Sequence, residues 1–203
     1  MCATQKGESM NEERVKGRYP KTIVLKDGTK VLLKAMTETD REGLYQFLLR
    51  IPEEDRKLLK HDVTKREVID AWMKNIDYAR VFPLLAEADG KIVADATLHR
   101  RRSGWMRHAG EVRFVVDPAY RRKGLGSHLL EELILLAADL GLEKLIAQIV
   151  AEERAAILAF QRFNFEQVAV LPGIVKDQDG THHDLVVMVL NVATAYLPDW
   201  YYF

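Results

Sequence analysis

Apolar residues recur along the chain with two different periods. Alternation or short apolar runs predict strands at Thr22–Leu25 and Lys30–Lys34, joined through Asp27-Gly28, and at Val81–Glu87 and Lys91–Leu98, joined through Asp89-Gly90. Further strands are expected at Gly110–Asp117, Lys144–Val150, Glu166–Leu171 and His183–Leu190, the last two flanking the Asp179-Gly180 turn. Helical spacing appears elsewhere. Leu44, Phe47 and Leu48 mark a helix within Thr37–Arg50, and Val68, Ile69, Trp72 and Met73 mark one at Lys65–Asn75. Leu125, Leu129, Leu130, Leu133, Leu136 and Ala137 mark a longer helix from Gly124 to Leu140, stopped by Gly141, and another is expected over Glu153–Phe163. From residue 81 the order is strand, strand, strand, helix, strand, helix, strand, strand. That order excludes an all-helical bundle and predicts an α/β chain with a mixed, mostly antiparallel central sheet flanked by helices.

The 203 residues suffice for one substantial core. Residues 1–20 read as a flexible leader, residues 21–190 as the domain, and residues 191–203 as an aromatic tail packed on the domain or on a partner subunit. A homodimer is one reading of that tail. Lys plus Arg and Asp plus Glu number 30 each, so no bulk attraction to nucleic acid or an anionic membrane is expected. No apolar run approaches the ~20 residues of a membrane span, and the polar start has no secretory apolar core. The single Cys2 excludes an intrachain disulfide and a cysteine-built metal cluster, which fits a cytoplasmic protein.

Composition names no chemistry, but one stretch does. In Val112 to Ser127 a buried strand ends at Pro118, and a basic, glycine-bearing loop, Arg121-Arg122-Lys123-Gly124-Leu125-Gly126, opens the long helix. Glycines let backbone approach a ligand, and the first helical N–H groups have no acceptor inside the helix, so the loop is a candidate cradle for phosphate or pyrophosphate. It lacks the Gly-Lys-Ser/Thr of a P-loop and the third glycine of the dinucleotide-binding fingerprint. The stretch Arg121 to Gly126, with the surrounding element order, resembles the GCN5-related N-acetyltransferase (GNAT) superfamily over roughly residues 22–190. The resemblance implies an acyl-CoA N-acyltransferase fold with acetyl-CoA as acyl donor and no metal. The cofactor pyrophosphate would sit at Arg121 and on the amides of Arg122, Lys123, Gly124, Gly126 and Ser127. Backbone groups of Phe114, Val115 and Val116 would hold the pantetheine arm. Glu153 and Phe160 stand where the family commonly has Asn and Tyr. Phe160 therefore brings no hydroxyl to protonate a leaving thiolate, and Glu153 either contacts the cofactor or serves the helix start.

Acylating an amine requires removing a proton from a group of pKa near ~10 and stabilising an oxyanion. Glu111 shares a strand face with Arg113, Val115 and Asp117 and begins the strand that leads to the loop, so it is the expected general base. The resembling protein-lysine acetyltransferases carry their base in a similar Glu-x-x-Phe-x-Val setting. An ion pair with Arg113 is the competing reading of Glu111, and His99 and His108 are alternative bases. A backbone N–H near Phe114 to Val116, exposed by a bulge or by splaying from the next strand, is the expected oxyanion donor. Asp95, on the face of Thr97 and His99, is a candidate to shape the acceptor pocket. Arg100-Arg101-Arg102 with Trp105 and Arg107 reads as a solvated hairpin tip, a 3′-phosphate contact or an anionic-acceptor contact. His182 and His183 point to opposite faces of a strand and do not form a ready metal pair. The function expected is acetyl or short-acyl transfer from acetyl-CoA to a small-molecule amine or a protein lysine. A catalytically weak acyl-CoA-binding or regulatory module is the alternative.

Overall fold

The computed structural model describes residues 17–195. Its strands in chain order are β1 (Lys21–Val24), β2 (Lys30–Ala35), β3 (Val81–Ala88), β4 (Lys91–Arg100), β5 (Ala109–Val116), β6 (Lys144–Val150), β7 (Glu166–Lys176) and β8 (His182–Asn191). Its helices are α1 (Arg41–Arg50), α2 (Glu53–Arg56), α3 (Arg66–Lys74), α4 (Leu125–Asp139), α5 (Arg154–Arg162) and α6 (Val192–Ala195). The strands form one sheet in the order β1-β2-β3-β4-β5-β6-β8-β7. All neighbours in it are antiparallel except β5 and β6.

Helices cover both faces of the sheet, and strand alternation divides the core between them. Leu84 and Leu85 are consecutive and fully buried, yet Leu84 packs with Leu129, Leu133 and Phe160 of the α4–α5 layer, whereas Leu85 packs with Phe47, Ile69 and Met73 of the α1–α3 layer. On β5, Val112, Phe114 and Val116 join the first layer and Val115 the second, as the alternation from Glu111 predicts. Leu125, Leu129, Leu130, Leu133, Leu136 and Ala137 of α4 are all buried. The helix closes on left-handed Gly141, with Leu142 N–H donating to the Ala137 carbonyl and Gly141 N–H to that of Ala138, the paired bonds of a Schellman stop.

Three segments differ from expectation. The helix expected from Thr37 begins as a 3₁₀ turn over Glu38–Asp40, because the Asp40 carboxylate accepts the Thr37 N–H at 2.9 Å and Thr37 Oγ1 at 3.0 Å. Strand β7, expected to end at Leu171, passes through Pro172-Gly173 to Lys176. It is an outer strand, so a missing N–H and two register shifts are tolerated, and Gly173 N–H donates to Asp184 Oδ1 at 2.8 Å. Arg18 and Tyr19, read as the end of a loose leader, are tied to α4: Arg18 pairs with Asp139, and the Tyr19 hydroxyl donates to buried Glu132 at 2.9 Å. Of the tail, Asn191 ends β8 and Val192 is buried at the start of α6, while Tyr196 and Trp200 to Phe203 lie outside the described residues. Among the described residues no helix is long and apolar enough to cross a membrane.

Candidate active site

The site lies where β5 and β6 part. Their parallel pairing runs from Ala109↔Lys144 to Val112↔Ala147 and stops there, although β5 continues to Val116 and β6 to Val150. On its other edge β5 stays paired with β4 through Val116↔Ala94, and Asp117 N–H donates to the Val93 carbonyl at 2.9 Å. In an antiparallel ladder the bonded pairs alternate, so Glu111, Arg113 and Val115 spend their main-chain groups on β4, while those of Val112, Phe114 and Val116 point toward β6. Val112 still has β6 opposite it. Beyond it, Phe114 N–H and C=O and Val116 N–H face the gap, and the Val116 carbonyl accepts Arg121 Nε at 3.0 Å. The gap is the splay expected from the sequence, without a bulge in the β4–β5 register.

At its far end β5 delivers the chain to the basic loop. Pro118–Tyr120 forms a 3₁₀ turn capped by Asp117, whose Oδ1 accepts the Ala119 N–H at 3.0 Å. Arg122 and Gly124 then take left-handed φ values of 61° and 94°. The intrahelical ladder of α4 starts with His128 N–H on the Gly124 carbonyl, so the N–H groups of Leu125, Gly126 and Ser127 have no acceptor in the helix. A Cβ on Gly126 would meet only Phe114 Cε2, at 3.8 Å, an ordinary contact. The protein's own packing therefore does not require glycine there, whereas close approach of a ligand to these amides does. Two of the three loop cations are held by acids: Arg121 by Asp55 at 2.6 Å and Lys123 by Asp27 at 3.0 Å. An anion seat at a helix start, continuous with a gap lined by main-chain donors and acceptors, fits the pyrophosphate and amide-bearing arm of acetyl-CoA.

On the α1–α3 face the odd-numbered side chains of β5 meet those of β4. Glu111 lies opposite His99, Arg113 opposite Thr97 and Val115 opposite Asp95. Glu111 Oε1 accepts Arg113 Nε at 2.7 Å and Lys60 Nζ at 2.5 Å, and Lys60 Nζ also donates to Gln148 Oε1 at 2.8 Å. Burial alone would push the Glu111 carboxyl up, but the hydrogen bonds from Arg113 and Lys60 outweigh it and hold the group at about 2. Burial, reinforced by the Arg113 charge, brings His99 down to about 4, so its imidazole is neutral at pH 7, with Nε2 3.0 Å from Thr97 Oγ1. Of the two sequence readings of Glu111, the ion pair with Arg113 is present in the structure.

Two adjoining cavities share this cluster. The larger, about 560 Å³, runs under α1 and α3 and is walled by Leu44, Leu48, Trp72, Pro83 and Val115, with Asp95 and Thr97 in its lining. The smaller, about 390 Å³, includes Arg80, Arg100, Arg101 and Glu111. Both include Val81, His99, Arg113 and Gln148, so the polar cluster forms their common boundary. The basic hairpin tip enters the smaller cavity at the Glu111 end of β5, opposite the loop end. Eight strand residues separate the two ends by about 23 Å, so the 3′-phosphate reading of Arg100 to Arg102 does not fit.

Other expected residues are placed differently. Phe160, expected against the cofactor, is 4% exposed; its ring stacks on Phe114 at 5.4 Å and meets Phe165 edge-on at 4.8 Å, because α5 turns that position into the core. Exposed Glu153 starts α5 through its carbonyl, which accepts Ala156 N–H at 3.0 Å, and its side chain makes no cap bond. Asn164, which follows α5, takes a left-handed φ of 62°. His108 contributes a carbonyl that accepts Glu143 and Lys144 N–H groups and holds the start of β6, away from both cavity linings. His182 and His183 bind separate partners, Gly173 O for the first and Glu152 and Asp177 for the second. Lys60 and Gln148 were not anticipated. Gln148 left a faint signal as the one polar side chain inside the apolar run Leu145 to Val150; Lys60, in an irregular loop, left none.

Residues 42–165, more than half the chain, match the acetyltransferase (GNAT) family. The chain belongs to that family. A Bacillus subtilis (strain 168) protein, YwnH, provisionally named as a phosphinothricin acetyltransferase, is 35% identical over 78 residues, 38% of this chain and 47% of that one. The Escherichia coli (strain K12) [ribosomal protein bS18]-alanine N-acetyltransferase is 32% identical over 78 residues, 38% of this chain and 52% of that one. The chain thus spans about half the length of these curated relatives. Among solved structures, the ribosomal-protein-alanine N-acetyltransferase from Brucella melitensis superposes with a TM-score of 0.69 at 26% identity, covering 79% of this chain and 99% of that one. A Salmonella typhimurium structure, yncA with acetyl-CoA, gives 0.67 at 22% identity over 80% and 94%, a likeness of fold alone.

Proposed function

We propose that this GNAT-family protein transfers an acetyl group from acetyl-CoA to a primary amine, with both substrates held at once. The gap that opens beyond Val112↔Ala147 carries the reading, since it frees Phe114 and Val116 main-chain groups three and five residues along the strand that bears Glu111. Acetyl-CoA supplies the activated acyl group. The amides of Arg122, Lys123, Gly124, Gly126 and Ser127 bind its pyrophosphate at the start of α4, the edge of β5 from Phe114 to Val116 aligns the pantetheine arm, and Phe114 N–H is the donor aimed at the carbonyl oxygen that gains charge. The acceptor approaches from the α1–α3 face through the larger cavity. Its concave, mostly apolar walls favour a small amine over a lysine on a folded protein.

Glu111 takes the proton. In the free protein it holds an alkylammonium already, that of Lys60, and an incoming ammonium replaces Lys60 against the same oxygen. With the ammonium in that place, its proton already points at the carboxylate that receives it as the amine attacks. Phe160 has no acidic proton, so the leaving thiolate, of ordinary pKa ~8.5, departs directly or takes its proton from water.

The test is steady-state thiol release with hexylamine across pH, for the wild type and Glu111→Gln. General-base catalysis contributes ~10²–10⁴-fold. The variant is expected to lose that factor near pH 7 and to recover part of it as pH approaches the amine's own pKa of ~10, with acetyl-CoA affinity retained. A second reading, an acyl-CoA-binding module with little turnover, draws on the same tied-up Glu111 and on Phe160. Tight acetyl-CoA binding with equally slow release in both proteins at every pH would favour it.

A further inference from the structure

Asp95 is unaccounted for by the acyl-transfer machinery. It projects from β4 into the larger cavity, between Leu85 on β3 and Val115 on β5, both of which are apolar cross-strand partners. Its Oδ1 is sealed from solvent and has no hydrogen-bond partner among the described residues. The cavity's cations do not satisfy it, because Lys60 and Arg113 are both hydrogen-bonded to Glu111 at the other end of the polar cluster. A carboxylate among Leu44, Leu48, Trp72 and Pro83 is costly unless something hydrogen-bonds to it. An apolar side chain would fill the same place without that cost.

Resting on the acceptor-pocket reading above, we propose that Asp95 receives a second basic nitrogen of the acceptor, so that the pocket selects diamines whose two nitrogens are joined by an apolar body. One nitrogen lies at Glu111 and is acetylated; the other lies at Asp95 and is not. Glu111 is opposite His99, four residues along β4 from Asp95, so the two positions are about 13 Å apart. With a hydrogen bond of about 2.8 Å at each end, the nitrogens of a fitting diamine are about 7–10 Å apart. The span suits an extended six-carbon chain or a xylylene unit, which would pass Thr97 and Arg113 on the sheet from the smaller cavity at Glu111 into the larger one, where Leu44, Leu48, Trp72 and Pro83 offer apolar wall.

The experiment compares hexylamine with hexamethylenediamine, and methylbenzylamine with para-xylylenediamine, in the wild type and in Asp95→Asn. Two readouts are taken: kcat/KM by thiol release, and binding of each amine to the CoA-saturated protein by calorimetry. A charge-assisted bond to Asp95 predicts that the wild type prefers each diamine by roughly 10- to 100-fold and that the preference collapses toward one in Asp95→Asn. A carboxylate kept only for packing would leave the ratio unmoved. Equal binding of diamine and monoamine by the wild type, or a preference that survives Asp95→Asn, overturns the proposal whether or not turnover occurs. Asp95-dependent diamine binding without turnover of any amine would leave it standing and sink the transferase reading instead.

Discussion

Asp95 also provides a stability test that needs no substrate. Burial moves its carboxyl from 3.8 up to about 7 in the folded protein. The folded-state pKa is thus raised above the unfolded one, so the group costs nothing below about pH 4. Stability falls as pH rises from there to about 7, where the native carboxyl ionises, and the penalty is constant above that. The rise from 3.8 to about 7, at 1.36 kcal/mol per tenfold change in acidity, sets a ceiling of about 4 kcal/mol. Oδ1 is sealed from solvent but the residue as a whole is only half-buried, so about 1–3 kcal/mol is the expected penalty. Asn has the same shape and no charge to lose. Asp95→Asn should therefore match the wild type near pH 4 and exceed it by about 1–3 kcal/mol at pH 8, measured by urea denaturation at several pH values. Every other titrating group is common to both proteins and cancels in the difference. A difference that does not change with pH, or a variant less stable than the wild type at pH 8, would refute the claim that this carboxylate lacks a partner.

Gly124→Glu forces a left-handed position, φ 94°, onto a residue with a Cβ and puts a carboxylate in the anion seat; acetyl-CoA affinity should fall at least ~100-fold by calorimetry, and an unchanged affinity would remove the loop from cofactor binding. Gly110→Ala places a methyl 2.9 Å from the ends of both Leu142 and Leu98 and 3.1 Å from that of Leu145, so a loss of about 1–3 kcal/mol is expected in thermal or urea unfolding. Lys60→Met removes one of the two cations on Glu111, and the Glu111 midpoint in a carboxyl-carbon NMR titration should rise above about 2; an unmoved midpoint would show that Lys60 does not rest on Glu111 in solution.

What could be read from the chain alone was whatever depends on near neighbours. The hairpin at Asp89-Gly90, the buried stripe of α4 and the sidedness of Glu111 against Phe114 follow from local period and turn chemistry, and the structure contains all of them. The active-site partners of Glu111 could not be found that way. Lys60 is 51 residues before it in an irregular loop and Gln148 follows on a strand joined in parallel, so only the assembled sheet and the helical layer above it bring them together. Phe160 was misplaced for a related reason. Its position in the family pattern suggested the cofactor, but an aromatic ring without a hydroxyl gains more by stacking between Phe114 and Phe165.

The division of labour on β5 follows from the pleat. Main-chain groups lie in the plane of the sheet and side chains stand perpendicular to it, so a single strand can serve two substrates without mixing their surfaces. Once β6 diverges, the in-plane edge at Phe114 and Val116 is free for the acyl donor, while Arg113 and Val115 rise from one face into the larger cavity and Glu111 into the smaller one adjoining it. Had β6 stayed paired to the end of β5, the same residues would line the cavity, but the edge would be consumed by the ladder and the carboxylate would have no thioester beside it. The decisive structural feature is therefore where the β5–β6 pairing stops, after Val112↔Ala147: three residues past Glu111 lies the first free amide, and eight past Val116 lies the glycine that opens α4.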